Sequence, residues 1–195
     1  MKKLFLIVSL CFLSTLSFAQ KKVGSYSVYG VEYDIEAYIN DNGTLQVYVE
    51  VDGDYPKVMF EIYGKDDLND FIDKLKKCKE KFVEWSNVAK TNNVKGFNKS
   101  FDISFPNVRI FWAGNKTYHS DKYNFIRPLF FVSQEGRILF VVREDATHWD
   151  NEYIETKFYF LLSSSKEFDI LINALNPSKI EKALINNKKT NELFK

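Results

Sequence analysis

Apart from Cys11 in an apolar N-terminal run, three side chains in this 195-residue sequence are of the types that do nucleophilic or metal chemistry near neutral pH: Cys78, His119 and His148. A thiol beside an imidazole makes a nucleophile with its own base, and thiolate with imidazole makes part of a zinc shell. The spacing favours neither. Cys78 lies in "KKCKEKFVEW", three residues after Leu75 and four before Phe82, with lysines at 76, 77, 79 and 81. Those lysines would lower a thiol pKa. The position, however, is mid-helix on an apolar stripe, where cysteine is a small buried hydrophobe without help from a helix N-terminus. His119 in "NKTYHSDKY" and His148 in "DATHWDNEY" fall in polar stretches read as loops, and neither belongs to an HExxH-type pair. No catalytic residue, metal ligand or cofactor is assigned. The catalytic alternative is a hydrolase or transferase in which His119 or His148 meets Cys78 or a carboxylate.

The acidic turns "DNG" at 41–43 and "DGD" at 52–54 supply only fragments of a calcium loop, which needs alternating oxygen ligands and a distant bidentate glutamate. Hairpin turns account for them. There is no glycine-rich phosphate loop and no GxSxG elbow. What is left is aromatic. "FWAGNKTYHSDKYNFIRP" and "HWDNEY" interleave Trp112, Tyr118, His119, Tyr123, Arg127, His148 and Trp149 with amide, hydroxyl and cationic groups. Flat rings beside such groups stack on sugars or bases while the polar neighbours hydrogen-bond. These seven residues are the candidate ligand-binding set, with Trp112 the one whose strand context fits core packing better.

The first residues, "MKKLFLIVSLCFLSTLSFAQ", give two lysines, an apolar run from Leu4, and small Ser17 and Ala19 before Gln20. That is the layout of a secretory signal peptide cleaved between Ala19 and Gln20. The apolar run is shorter than the roughly 20 residues of a membrane span, and Leu10 before Cys11 does not suit a lipoprotein signal. The mature chain is expected to be periplasmic or secreted, with no transmembrane segment after leader removal. Residues 20–195 form a single expected domain. Loss of Lys2 and Lys3 leaves 25 basic against 26 acidic side chains. A charge so near zero gives no general pull toward nucleic acid or anionic membrane, and one remaining cysteine allows no internal disulfide.

These residues have to be held by a scaffold, and the period of the sequence describes it. "YGVEYDIEAYIN", "TLQVYVEV" and "YPKVMFEIYG" are rich in β-branched and aromatic residues and separated by short turns, which predicts an antiparallel meander. The period then becomes helical, with Leu68, Phe71, Ile72, Leu75, Cys78, Phe82, Trp85 and Ala89 on one stripe over residues 66–91. "FNKSFDISF", "VRIFWAG", "YNFIRPLFFVS", "GRILFVVRE" and "YIETKFYFLLS" are further strands. A helix over 166–175 follows, with Ser164 and Glu167 spaced as a capping box. Pro177 ends it, and "SKIEKALINN" predicts a short C-terminal helix from Ser178.

Residues 57–75 align without gaps on residues 157–175, with Lys57 and Lys157, Phe60 and Phe160, Ile72 and Ile172, and Leu75 and Leu175 identical. The expected fold is therefore α+β: an antiparallel meander followed by an amphipathic helix, arranged twice, with half-repeats 23–95 and 97–187 as a possible duplication. In outline this resembles the single-stranded-DNA-binding architecture of the PC4 and Whirly families, in topology alone and with no motif matched residue by residue. The resemblance implies a β surface for nucleic acid, which the neutral charge and the leader oppose. The expected function is an exported, non-catalytic binding or interaction module of the cell envelope, its partner an unknown glycan, peptide or protein.

Overall fold

A computed structural model describes residues 21–114, 117–120 and 124–193; the stretch expected to be a leader lies outside them. The first meander forms as its composition predicts, but it begins one strand earlier. β1 (Lys21–Val28) pairs antiparallel with β2 (Val31–Ile39) across Tyr29 and Gly30, both at positive φ (50° and 81°). Two successive left-handed residues are what a tight hairpin turn requires. Tyr29 supplies one of them in place of the usual asparagine or aspartate, so the turn gives no sequence signal. Asn40 closes the next turn, its side-chain oxygen accepting the Thr44 backbone N–H at 2.8 Å. β3 (Leu45–Gly53) and β4 (Lys57–Tyr63) complete the meander.

Gly64, at φ 89°, turns the chain into α1 (Lys65–Thr91), which carries Asp66 and Asp67 in its first turn, where the helix dipole favours negative charge. Leu68, Phe71, Ile72, Leu75, Cys78, Phe82 and Ala89 are buried along it, as the stripe predicts. Ser86 is buried with them, a polar residue on the apolar face.

The second half is where connectivity departs from two successive meanders. β5 (Phe97–Ser100) stands at one end of the sheet, whereas β6 (Phe105–Gly114), β7 (Thr117–Ser120) and β8 (Asn124–Ile126) join the first half beside β4. β9 (Leu129–Val132), β10 (Ile138–His148) and β11 (Asn151–Leu162) then pair in sequence. The order along the main path is β5-β9-β10-β11-β3-β4-β6-β7, with every described pairing antiparallel. α2 (Ser165–Ala174) and α3 (Pro177–Leu193) follow, giving an α+β fold with three helices among the described residues.

Several expectations need correction. "YNFIRPLFFVS" is two strands and not one, because Pro128 has no N–H for a ladder and the chain crosses from the first half's strands to the second's there. "FNKSFDISF" is likewise broken, with Asp102 at φ 54° between β5 and β6. The stretch around His119 contains β7 and is not a loop throughout. The last helix begins at Pro177, which suits a first helical position, and runs 17 residues. The aligned segments 57–75 and 157–175 are both a strand leading into a helix, but the strands around them are not arranged alike. The PC4 and Whirly likeness rested on two like meanders, so this connectivity removes its footing.

The two groups of strands meet at a short seam, where Gly53 and Asp52 pair with Phe158 and Tyr159. A Cβ at Gly53 would lie 2.8 Å from the Lys157 carbonyl oxygen and 2.6 Å from a Val58 methyl, so only glycine fits this approach. Asp54 tightens it. Its backbone N–H donates to the Lys157 oxygen at 3.1 Å, and its carboxylate accepts the Lys157 N–H at 3.3 Å. Behind the seam, Phe160 meets Phe60 at 5.4 Å and Phe140 at 5.8 Å between ring centres. Phe140 in turn meets Phe168 of α2 at 5.1 Å. One core thus runs through both halves and under α1, whose Phe82 touches both Phe130 and Phe168.

Candidate functional site

The sequence offered Cys78 as its most reactive group, and the fold encloses it. Its residue exposure is 0%, and burial pushes the thiol pKa up to about 12, against a weak opposite pull from Lys81. The flanking lysines therefore do not make a thiolate. Among the described residues no three histidine, cysteine, aspartate or glutamate side chains lie close enough to hold a metal ion.

The aromatic set divides. Trp112 on β6 is wholly buried, its ring 6.5 Å from Tyr55 and 6.4 Å from His148, the latter edge to face. His148 ends β10, and its ring lies 5.9 Å from that of Trp149. Tyr55, Trp112, His148 and Trp149 thus form a row of rings that starts inside the protein and ends on its surface, with Trp149 59% exposed. Trp112 serves this row as its anchor and does not itself face solvent.

Local backbone explains why Trp149 projects. His148 pairs with Asn151 across the two-residue turn Trp149-Asp150, and the register shifts between Thr147 and His148. A bulge beside a turn re-aims the side chains that follow it. The Asp150 N–H donates to His148 Nδ1 at 3.2 Å, and the Tyr153 N–H donates to the Asn151 side-chain oxygen at 3.0 Å, so the turn is held by its own polar groups. Tyr153, 88% exposed, adds a second ring on the same hairpin. Tyr153 was not in the candidate set, although "HWDNEY" contains it.

Tyr118 and His119 have described backbone positions on β7, opposite Ala113 and Trp112 respectively. His119 is therefore cross-strand from the anchor of the ring row. Tyr123 lies outside the described residues. Arg127 is exposed and stands elsewhere, its backbone N–H donating to Glu144 Oε1 at 3.3 Å. Burial raises the Glu144 pKa, with that N–H and the Arg127 charge opposing.

Among the described residues, two of the concavities lie away from the ring row. An apolar one of about 270 Å³ is lined by Trp85, Val88, Ala89, Val94, Phe97, Lys99 and Phe130, and the Lys99 ammonium already sits 4.4 Å over the Trp85 ring. The other, about 330 Å³, is polar. It lies where α1 passes the start of α2, walled by Ser86, Asn87 and Lys90 on one side and Ser163, Ser164 and Ser165 on the other, over Phe82 and Ile138. Sequence reasoning found the capping half of this wall and missed the cleft. The available signal was Ser86, a hydroxyl four residues after Phe82 on an otherwise apolar stripe.

Comparison with protein families, with curated proteins and with solved structures found no match to the chain. No helix among the described residues is long and apolar enough to cross a membrane.

Proposed function

We propose that the chain is an exported binding module of the cell envelope that holds its partner without transforming it, gripping a glycan through the β10–β11 hairpin. The observation that carries this reading is the ring row, in which buried Trp112 backs His148 and His148 backs Trp149, with Tyr153 exposed on the next strand. Exposed rings that are immobilised from behind lose little entropy when a flat apolar sugar face stacks on them. The leader-like residues 1–19 support export to the compartment where such glycans occur. The near-zero net charge supplies no general pull toward nucleic acid. The strand-to-helix units at 57–75 and 157–175 are read as relics of an internal repeat, to be tested by whether related chains align better between halves than this one does.

The decisive experiment compares the mature protein with a Trp149→Ala, Tyr153→Ala variant for binding to soluble peptidoglycan fragments and to single-stranded DNA, each at low and high salt. The expected result is glycan binding that salt barely changes and that the variant weakens by about tenfold or more, equivalent to roughly 1.4 kcal/mol. Unchanged glycan binding in the variant would overturn the reading, and tight DNA binding lost in salt would replace it with the nucleic-acid one.

A further inference from the structure

The polar cleft between α1 and α2 has features that packing does not require. Ser86 is 7% exposed and its Oγ has no hydrogen-bond partner among the described residues. An unpartnered buried hydroxyl destabilises a fold, and a mid-helix serine can ordinarily bond the carbonyl one turn back. Here Ser86 lines the cleft, with its Oγ buried just beneath that wall. Lys90 lies one turn further along the same helix face, Asn87 is the next residue and also lines the cleft, and among the described residues Lys90 forms no ion pair.

The facing wall is the entry to α2. Ser164 is its N-cap, the Oγ accepting the Glu167 N–H at 3.3 Å. Glu167 does not close the usual reciprocal box on Ser164. Its carboxylate instead accepts the Ser163 N–H and the Ser163 hydroxyl, which fixes the Ser163 side chain. This arrangement also bears on the ligand's charge. The positive end of α2 already has a carboxylate in its first turn, and among the described residues Lys90 is the single formal charge lining the cleft. A dianion such as phosphate is thus poorly matched, whereas one negative charge is matched by Lys90. The remaining wall groups are hydroxyls and an amide, which both donate and accept, as ring hydroxyls demand. Phe82 and Ile138 give an apolar floor. The volume of about 330 Å³ falls in the range of small-molecule sites.

We infer that the α1–α2 cleft is a binding site for a small acidic sugar, a polyhydroxylated ring bearing one carboxylate, with the carboxylate on Lys90 and ring hydroxyls on Ser86, Asn87 and the serine wall. The site is separate from the ring row, since it lies at the Leu162 end of β11 while Trp149 adjoins the Asn151 end. Eleven residue steps of strand set these ends roughly 35 Å apart.

The test uses the full mature chain, with backbone amide shifts followed by NMR during titration with glucuronate, glucose and acetate. Glucuronate should shift amides of residues 82–90 and 163–167, with glucose about tenfold weaker and acetate without effect at this site. Ser86→Ala should weaken glucuronate at least about fivefold while leaving the melting temperature equal or higher, because it removes an unpartnered hydroxyl. Lys90→Gln should erase the preference for glucuronate over glucose. Absence of cleft shifts at about 50 mM glucuronate, equal affinity for all three probes, or a Ser86→Ala protein that binds as before would each overturn the inference. Trp149 and Tyr153 are intact in these variants, so failure here leaves the hairpin reading standing, and failure of the hairpin reading leaves this one.

Discussion

At its Asn151 end β11 leaves a two-residue turn whose Trp149 ring stands 59% exposed, whereas at its Leu162 end it runs into three serines that wall a cleft of about 330 Å³. The first surface is aromatic and offers area. The second is concave and hydroxylated and offers hydrogen bonds with one charge. Stacking on the former should be insensitive to salt, while the Lys90 contact in the latter should weaken as salt rises. The lesson of the comparison is that both are stiffened from behind by different means: rings on rings at the hairpin, and a carboxylate holding Ser163 at the cleft.

The largest effect is expected where the two ends share support. Phe160 lies two residues from the Leu162 end of β11, in the core common to both halves, against Phe60, Phe140 and Tyr26. Phe160→Ala should cost about 3–5 kcal/mol, read as a lower urea midpoint, and should abolish glycan and glucuronate binding together. If one end survived that loss of the common core, the two would not depend on one scaffold as described.

Alkaline pH should act on the same core. The folded Cys78 thiol titrates near 12 because it is buried, against an ordinary value of 9.0, and burial likewise raises the Tyr26 and Tyr48 phenols. The folded state therefore keeps protons that the unfolded chain releases. For the thiol, its stabilising contribution is complete below about pH 9 and falls away as pH rises toward about 12. Urea midpoints across that window should decline, and less steeply in Cys78→Ala. The native thiol should also alkylate far more slowly than the unfolded one at neutral pH.

A third substitution separates the ends. Ser164→Ala removes the N-cap of α2 and should cost about 1 kcal/mol. Because Ser164 lines the cleft, glucuronate binding should fall with it, while glycan binding at the hairpin should not change. The smallest effect on stability belongs to Trp149→Ala. With the ring mostly in solvent, the urea midpoint should correspond to a change within about 0.5 kcal/mol. A markedly larger loss would mean that the ring supports the turn and is not simply presented by it.

The sequence made α1 legible almost residue for residue, because an apolar stripe of three-and-four spacing is a local signal. Cys78 fell inside it for that reason. The capping serine at 164 was equally local, although the turn of Glu167 to Ser163 shows only in the folded chain. β1 escaped because its turn uses Tyr29 at φ 50°, a conformation that no residue type announces there. The split at Pro128 was visible in principle, since proline lacks the donor that a continuous strand needs. The ring row was half legible: His148 and Trp149 are neighbours in sequence, but Trp112 and Tyr55 reach them only through the sheet. The cleft was the least legible feature, since its two walls are separated in sequence by most of the second half.

The seam at Gly53 has a kinetic meaning as well. Asp54 and Lys157 bond across a separation of 103 residues, and α1 finds part of its packing only on Phe130 and Phe168. Whatever meander and helix the first half forms early, its apolar surface stays uncovered until β9, β10, β11 and α2 have been made and have closed on it. Contacts so distant along the chain lengthen the search for the native state. Refolding should therefore be slow for a domain of this size, with the last slow phase marking closure of the seam, and a chain truncated before β9 should be captured by chaperones rather than fold.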